Sequence, residues 1–234
     1  MEQGVNESGS PERRGARLSR DRVLEGALDL ADEIGVTSLT MRRLAQELGV
    51  KPMTIYHYVP SKDEILDGIV DLVFAQIELP PQDMDWVAAM KVRCRSAREV
   101  LADHPWATPL METRHSPGPA TLTHHDAMLA CLRSSGMSLA LTAHAYAVID
   151  AYVYGFALQE AALPSHDDDT DLAQLAEGIA AAMPQDRYPA LLEFTHGHVL
   201  QPGYRFADSF EVGLDLILAG VSSMAAVEAE QRGR

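Results

Sequence analysis

The stretch from Thr37 to Lys62 reads TSLTMRRLAQELGVKPMTIYHYVPSK and decides the fold of the amino-terminal region. Thr40 is a favourable N-cap for a short helix over MRRLAQEL, and Gly49 then breaks that helix. KPMTIYHY predicts another short helix, in which Pro52 is tolerated because the first helical turn needs no N–H donor. Two short helices that flank a Leu-Gly-Val turn are typical of a helix-turn-helix.

Apolar residues occupy the positions where these two helices would cross. The small Ala45 lies at the crossing itself, and the space around it is filled by Leu44, Leu48, Val50 and Ile55. Such a core holds the second helix at a fixed angle, so that it can enter a DNA major groove about 12 Å wide.

The outward-facing residues of this region suit contact with DNA. Lys51 and Thr54 lie at the amino-terminal end of the second helix, where the helix dipole favours phosphate. Hydrogen-bonding and aromatic side chains follow, and Lys62 begins the next helix. The predicted DNA-contacting set is Arg42, Arg43, Lys51, Pro52, Thr54, Tyr56, His57, Tyr58 and Lys62.

Two further helices enclose this pair. Ser19 is a favourable N-cap for a helix over about 20–34. Ser61 and Glu64 form a capping box that begins a helix over about 62–78.

The remainder of the chain also reads as helix, and no segment alternates as a strand does. The predicted helices cover about 84–103, 119–135, 138–162, 171–182, 187–196 and a last one that Asp208 caps, ending near 229. We therefore expect an all-α protein with a disordered basic arm over 1–18, a three-helix helix-turn-helix domain over 19–65 and a helical effector-binding and dimerisation domain over 66–234.

The composition limits the classes of protein to which this chain can belong. The 234 residues are 47% hydrophobic and carry a net charge of −15, yet residues 1–62 hold nine basic and nine acidic residues. The acidic excess therefore lies in the rest of the chain, and the local potential near the first helices remains compatible with DNA.

No run of about 18 apolar residues lacks a charge or a helix breaker, which argues against a membrane span. No secretory h-region is visible and only two cysteines are present, so we expect a cytoplasmic protein.

The amino-terminal region resembles the DNA-binding domain of the TetR family of transcriptional regulators, in the stretch ALDLADEIGVTSLTMRRLAQELGVKPMTIYHYVPSKDEILDGIVD. The similarity is dense over about 20–75. Beyond it, His-Pro-Trp at 104–106, YVYGFALQE at 152–160 and FEVGLDLILAG at 210–220 resemble the C-terminal regulatory domain of tetracycline repressors.

The resemblance implies a role for individual residues. Arg42 would reach a base, most readily a guanine edge that offers two acceptors. Thr54, Tyr56 and Lys62 match phosphate-contacting positions, while Pro52 stands where tetracycline repressors carry a base-reading side chain. Because proline cannot donate a hydrogen bond there, a thymine methyl group is the contact left to it.

The resemblance also implies a small-molecule pocket. Its predicted wall consists of Trp86, Met90, His104, Trp106, Met111, Met128 and Phe156. Ordinary core packing is the alternative for each of these residues. Met111 aligns with the histidine that coordinates the drug-bound magnesium ion, and a thioether is a poor magnesium ligand. We therefore expect an effector other than tetracycline, and neither a cofactor nor a metal.

The family forms homodimers, and two apolar stripes agree with this. The predicted interface consists of Tyr146, Ile149, Tyr152, Val153, Phe210, Leu214, Ile217 and Val221. The alternative is that both stripes face the core of one protomer. A two-fold dimer would present two recognition helices to a palindromic double-stranded DNA operator and release it when a small-molecule effector binds.

Two other functions deserve comparison with this one. An enzyme is suggested only by His124, His125 and Asp126, and adjacent helical residues point about 100° apart, so they cannot all chelate one ion. An effector-binding or protein-interaction module that has lost DNA binding is suggested by Pro52 and the acidic bulk. Arg42, Lys51 and Lys62 argue against that second alternative.

Overall fold

A computed structural model describes residues 17–163, 169–184 and 186–233. These residues form eleven α-helices and no strand, so the all-α prediction is confirmed. The helices are α1 Arg20–Ile34, α2 Met41–Glu47, α3 Pro52–Tyr56, α4 Lys62–Gln76, α5 Trp86–Asp103, α6 Ala107–Met111, α7 Pro119–Ser134, α8 Leu139–Ala161, α9 Asp169–Ala182, α10 Pro189–Phe194 and α11 Ser209–Arg232. Most of the predicted basic arm lies outside the described residues.

The chain divides into two compact units between Leu72 and Val73. The boundary drawn from the sequence, after residue 65, falls inside α4 and stays a prediction. The first unit contains α1, α2, α3 and most of α4, and the second contains the remaining helices.

The caps predicted for the first unit are confirmed. Ser19 accepts a hydrogen bond from a backbone N–H of α1, and Thr40 accepts one from the backbone N–H of Arg43, both at 3.2 Å. Ser61 accepts one from the backbone N–H of Glu64, also at 3.2 Å. The starts of α1, α2 and α4 are thus each fixed by a cap from the neighbouring sequence.

The turn between α2 and α3 depends on a glycine. Gly49 has a φ of +66°, a backbone conformation that other residues adopt only at a cost. Leu44, Ala45 and Ile55 are buried around the crossing, as expected. A close approach that the sequence did not reveal occurs at Gly26, where a Cβ would lie 2.8 Å from Leu48 Cδ2.

The second unit is a bundle in which α5, α7 and α8 all contact one another, while α11 packs on α8. Asp85 caps α5 by accepting from the backbone N–H groups of Val87 and Ala88. The segment between α5 and α7 contains the short α6.

Asp208 does not cap the last helix through its side chain, which corrects the prediction. Its backbone is already helical, and its carboxylate pairs with Arg205, with Oδ1 2.6 Å from Nη2. The pair uses the acceptor that would otherwise satisfy the first N–H groups of α11.

The segment Phe206–Arg232 is long and apolar enough to cross a membrane by length and composition alone. It contains Glu211 and Asp215, which pair with Arg95 at 2.6 Å and Lys91 at 2.5 Å on α5. One side of α11 therefore lies on α5 and α8, and its other side is an exposed apolar face.

Replacement of Gly49 by alanine tests the strain at the turn. Nothing lies within 4 Å of the added Cβ, so the expected loss of about 1–2 kcal/mol in the free energy of unfolding comes from the backbone alone. Gly178→Ala is the matched control, because Gly178 is helical, exposed and equally uncrowded; it should gain about 0.5–1 kcal/mol. Urea denaturation measures both, and equal effects at the two positions would contradict the assignment.

Candidate nucleic-acid interface and ligand site

Seven of the nine residues predicted to contact DNA have exposed side chains. They are Arg42, Arg43, Lys51, Pro52, Tyr56, His57 and Lys62, whereas Thr54 and Tyr58 are half-buried. All nine lie on α2, on α3, in the turns on either side of α3 or at the start of α4. The first unit thus brings them onto consecutive elements of one helix-turn-helix.

The two neighbouring arginines of α2 differ in their surroundings. Arg43 Nη1 donates a hydrogen bond to the backbone carbonyl of Ser38 at 3.1 Å, which fixes the loop before α2. Arg43 therefore has a structural role in its own unit in addition to its charge.

Met53 is an exposed residue that the sequence analysis did not select. It lies one position after Pro52 in α3, and 70% of its side chain is accessible. A large exposed thioether on a recognition helix offers apolar contact to a thymine methyl group. Met53 was not selected because methionine is usually a core residue. Its place next to Pro52 at the start of α3 was the feature that would have indicated exposure.

A cluster of buried polar side chains lies at the centre of the second unit, where α5, α7 and α8 meet. Arg93 is completely inaccessible, and its Nη2 lies 2.8 Å from Asp150 Oδ1. Its Nε donates to His124 Nε2 at 3.0 Å, and Nη2 also reaches the Tyr154 hydroxyl at 3.5 Å. The cluster joins one residue of α5, one of α7 and two of α8.

A ring of aromatic contacts adjoins the cluster. The Phe74 ring of α4 lies 5.2 Å from the His124 ring and 5.4 Å from the His125 ring. His125 Nδ1 and the Tyr146 hydroxyl are 2.6 Å apart. The carboxyl end of α4 therefore touches the same two histidines that face Arg93 and Tyr146.

Burial and charge fix the protonation states of the cluster. Burial, followed by the charge of Arg93, lowers the pKa of His124 to about 3, so the imidazole is neutral at pH 7. Burial acts to lower the pKa of the Arg93 guanidinium, but the combined effect of Asp150, Tyr154 and Cys94 outweighs burial and the pKa is raised. Burial also raises the pKa of Tyr154. The cluster therefore holds one cation, one anion and neutral donors.

Two donors of this cluster lack a hydrogen-bond partner. Arg93 Nη1 has none, and neither does His124 Nδ1, which carries the imidazole proton because Nε2 accepts from Arg93. Asp150 Oδ1 forms its ion pair without a well-aligned hydrogen bond. Each buried unsatisfied donor costs about 1–3 kcal/mol.

The residues predicted to line an effector pocket fall into different surroundings. Met90 and Met128 are buried on α5 and α7. His104 Nε2 lies 3.1 Å from Gln76 Oε1, and its ring lies 6.1 Å from that of Trp106. Phe156 instead stacks on Phe206 beside α11. Trp86 and Met111 are half-buried, and the backbone carbonyl of Trp86 faces Cys131 Sγ at 3.7 Å.

Four residues of the predicted dimer interface are completely buried inside one protomer: Ile149, Val153, Phe210 and Leu214. A side chain without accessible surface adds no area to an interface, and this corrects the assignment for these four. Of the others, Tyr152 packs on α11, where its hydroxyl occupies the space that a Cβ at Gly213 would need. Tyr146 hydrogen-bonds His125, Ile217 is half-buried, and Val221 is nearly buried.

The exposed apolar face of α11 lies on a different side of the helix from the residues predicted to form the dimer interface. It consists of Val212, Leu216, Met224 and Val227, and Leu216 is 70% accessible. A groove of about 770 Å³ is lined by Val212 and Leu216 of this face and by the small residues Ala151 and Gly155 of α8. We call this surface the α8–α11 face.

Within the described ranges, no three His, Cys, Asp or Glu side chains lie close enough together to hold a metal ion. His124 and His125, which prompted the comparison with an enzyme, face Arg93 and Tyr146 instead.

The lowered pKa of His124 predicts a pH dependence of stability. The unfolded histidine binds a proton near pH 6.5 and the folded one only near 3, so the free energy of unfolding falls as the pH drops from 6.5 towards 3. NMR of the imidazole should show a neutral ring at pH 5, with His124→Gln identifying its resonance. A ring that titrates near pH 6.5 would contradict the buried geometry.

Comparison with known proteins agrees with both units. Residues 23–69 match the family described as bacterial regulatory proteins, tetR family, and residues 79–225 match the tetracyclin repressor-like C-terminal domain. An HTH-type transcriptional regulator of Saccharopolyspora erythraea is 31% identical over 212 residues, covering 90% of this chain and 87% of that protein. The HTH-type transcriptional repressor DrrR1 of Streptomyces coeruleorubidus is 32% identical over 218 residues, covering 89% and 79%.

Solved structures agree as well. ActR of Streptomyces coelicolor, a TetR family protein determined in complex with actinorhodin, superposes with a TM-score of 0.75 and 29% identity. The match covers 90% of this chain and 99% of that one. The chain therefore belongs to the TetR family of transcriptional regulators, with a helix-turn-helix unit at its amino-terminal end and a tetracycline-repressor-like domain after it.

Proposed function

We propose that this protein is a cytoplasmic repressor that binds a palindromic operator as a homodimer and is released when a small molecule enters the second unit. The observation that carries the proposal is the exposed set of basic and polar side chains on α2 and α3. The names of the relatives, a repressor and a regulator, support the same function.

The residues of α2, α3 and the start of α4 make three kinds of contact with DNA in this proposal. Arg42 reads a base edge through its guanidinium fork, and Lys51 and Lys62 neutralise phosphates. Pro52 and Met53 give the amino-terminal end of α3 an apolar surface, which favours thymine at the base pairs it faces. This chain therefore reads an operator that differs from those of repressors with a hydrogen-bonding residue at position 52.

The α8–α11 face is the proposed dimer interface. Together with Gly220, its apolar positions 212, 216, 224 and 227 recur at intervals of three and four residues, as helix pairing requires. Gly220 is exposed with nothing within 4 Å, so a partner helix can approach its backbone closely. Two-fold pairing through this face would present two copies of α3 to one operator.

Helix α4 connects the effector to the DNA-binding helices. It is continuous from Lys62, at the proposed operator contact, to the turn that contains Phe74, whose ring touches His124 and His125. An effector that displaces these rings favours a different position of α4, and the spacing of the two recognition helices then no longer fits the operator.

Replacement of Arg42 tests the base contact. Arg42→Ala should weaken operator binding by about 1–3 kcal/mol and relax the preference at one base pair. Lys62→Ala should weaken binding to every sequence equally and reduce the slope of log K against log salt by about 1. Fluorescence anisotropy against a set of single-base operator variants measures both.

The control for this experiment is Arg187→Ala, which removes an exposed positive charge from the second unit and should leave the discrimination between operators unchanged. Uniform weakening by Arg42→Ala would reassign that residue to phosphate. Absence of any salt-dependent binding by the wild-type protein would favour an effector-binding or protein-interaction module that has lost DNA binding.

A charge on the α8–α11 face tests the interface. Leu216→Glu places two carboxylates in a symmetric interface, and the dimer dissociation constant should rise about 100-fold or more because each loses its water without a partner. Leu122→Glu, on an exposed position of α7, should leave the dimer intact. Sedimentation velocity distinguishes these results, and an unchanged dimer in Leu216→Glu would refute the proposed interface.

A further inference from the structure

We propose that Gly68 is a positioning residue for operator binding, because it holds α1 at a fixed place on α4 and thereby sets where α3 lies. The inference rests on the proposed function, since it names the contact through which α4 controls the position of the DNA-binding helices. The sequence analysis assigned no role to this glycine.

Gly68 lies on the buried side of α4, between the buried Ile65 and Ile69. A Cβ at this position would lie 2.5 Å from Leu24 Cδ2 and 2.7 Å from Leu24 Cδ1. Because both methyl groups are too close, rotation of the leucine end would exchange one clash for the other. Leu24 is itself buried on α1, so it rests directly on the backbone of α4, and a glycine is what leaves room for it.

A second close approach joins α1 to the end of α2. Leu48 Cδ2 lies 2.8 Å from the Cβ position of Gly26, but Leu48 Cγ lies at 3.5 Å, so this contact is looser than the one at Gly68. Gly26 follows Leu24 by two residues, and successive helical residues are about 100° apart, so the two contacts lie on nearly opposite sides of α1. Helix α1 therefore contacts α4 on one side and the end of α2 on the other.

The position of α3 depends on this series of contacts. The boundary between the two units falls inside α4, so this helix carries the chain from the DNA-binding unit into the unit of the proposed dimer interface. A displacement of α4 reaches α3 through α1 and α2. The contact between Gly68 and Leu24 prevents α4 from sliding along α1 alone, since closely packed side chains transmit a displacement instead of absorbing it.

Gly68→Ala tests this role in the full-length dimer. Carbon atoms in contact lie about 3.5 Å apart or more, so Leu24 and α4 must separate by about 1 Å to admit the new methyl group. The Kd for a palindrome selected from a random duplex library should rise about 10-fold, comparable with the loss of one matched base pair. The Kd for the same duplex with one half-site scrambled should stay within about twofold, because each half-site contacts a single copy of α3.

A merely structural role predicts a different result, since a destabilised first unit would weaken binding to both duplexes equally. Leu24→Val combined with Gly68→Ala removes one carbon where the other substitution adds one, and should restore the Kd for the palindrome to within about twofold. Gly178→Ala adds the same methyl group at an exposed helical position with nothing within 4 Å, and should change neither Kd. Equal weakening of both duplexes by folded Gly68→Ala, or absence of rescue by Leu24→Val, would overturn the proposal.

The separation of the two copies of α2 is measured without DNA. A spin label at the exposed position of Glu47→Cys, in a Cys131→Ser background that leaves only the buried Cys94, reports this distance by pulsed electron spin resonance. Gly68→Ala should shift or widen the distance distribution, and added Leu24→Val should reverse the change. An unchanged distribution would refute this inference and leave the proposed function intact. A wild-type protein that binds no palindrome, while its variants change the distance as expected, would refute the proposed function and leave the role of Gly68 intact.

Discussion

The buried ion pair between Arg93 and Asp150 is the interaction on which the second unit depends. It joins α5 to α8, and through His124 it also joins α7, so three helices take their positions from one guanidinium. Desolvation makes such a pair a weak source of stability, and an apolar core of the same volume would often be at least as stable. Removal of either partner would nevertheless lower the stability of the fold strongly, because the other charge would remain unpaired in the interior. The arrangement fixes the geometry with which the three helices meet.

A switch between two states needs a defined difference in ligand affinity. To move a two-state equilibrium from 1:99 to 99:1, a ligand must favour one state by about 5.5 kcal/mol. The Phe74 ring of α4 contacts both His124 and His125, so a change in the packing of these histidines would act on α4 directly.

Local chemistry explains which features were predictable from the sequence. The caps at Ser19, Thr40 and Ser61 lie within three residues of the N–H groups they satisfy, and Pro52 marks the start of α3, so the first four helices were predicted within about two residues of their ends. The exposed positions on α2 and α3 followed from the same pattern. That these side chains contact DNA stays a prediction.

The buried cluster and the dimer face depended on information that the local pattern does not contain. Arg93 lies in a run with two other arginines, and nothing nearby in sequence distinguishes the one that meets an aspartate 57 residues later. The apolar residues of α8 occupy nearly every side of the helix, so their spacing does not indicate which side faces the protomer core. Asp208 was assigned as a cap from its residue type, but its carboxylate pairs with Arg205, three residues earlier.

The acidity of the chain is compatible with DNA binding and contributes to specificity. The first 62 residues carry equal numbers of acidic and basic residues, so the helix-turn-helix is locally neutral while the remainder carries the whole charge of −15. Charges more than about 8 Å apart in water are largely screened at physiological ionic strength, and the acidic unit therefore takes little from the proposed contact of Arg42 with a base. Binding to arbitrary DNA depends on neutralising phosphates, and a chain with 34 acidic and 19 basic residues has few basic side chains left for it beyond the helix-turn-helix. Because a repressor must distinguish its operator from a large excess of other sites, weaker non-specific binding raises the ratio that matters.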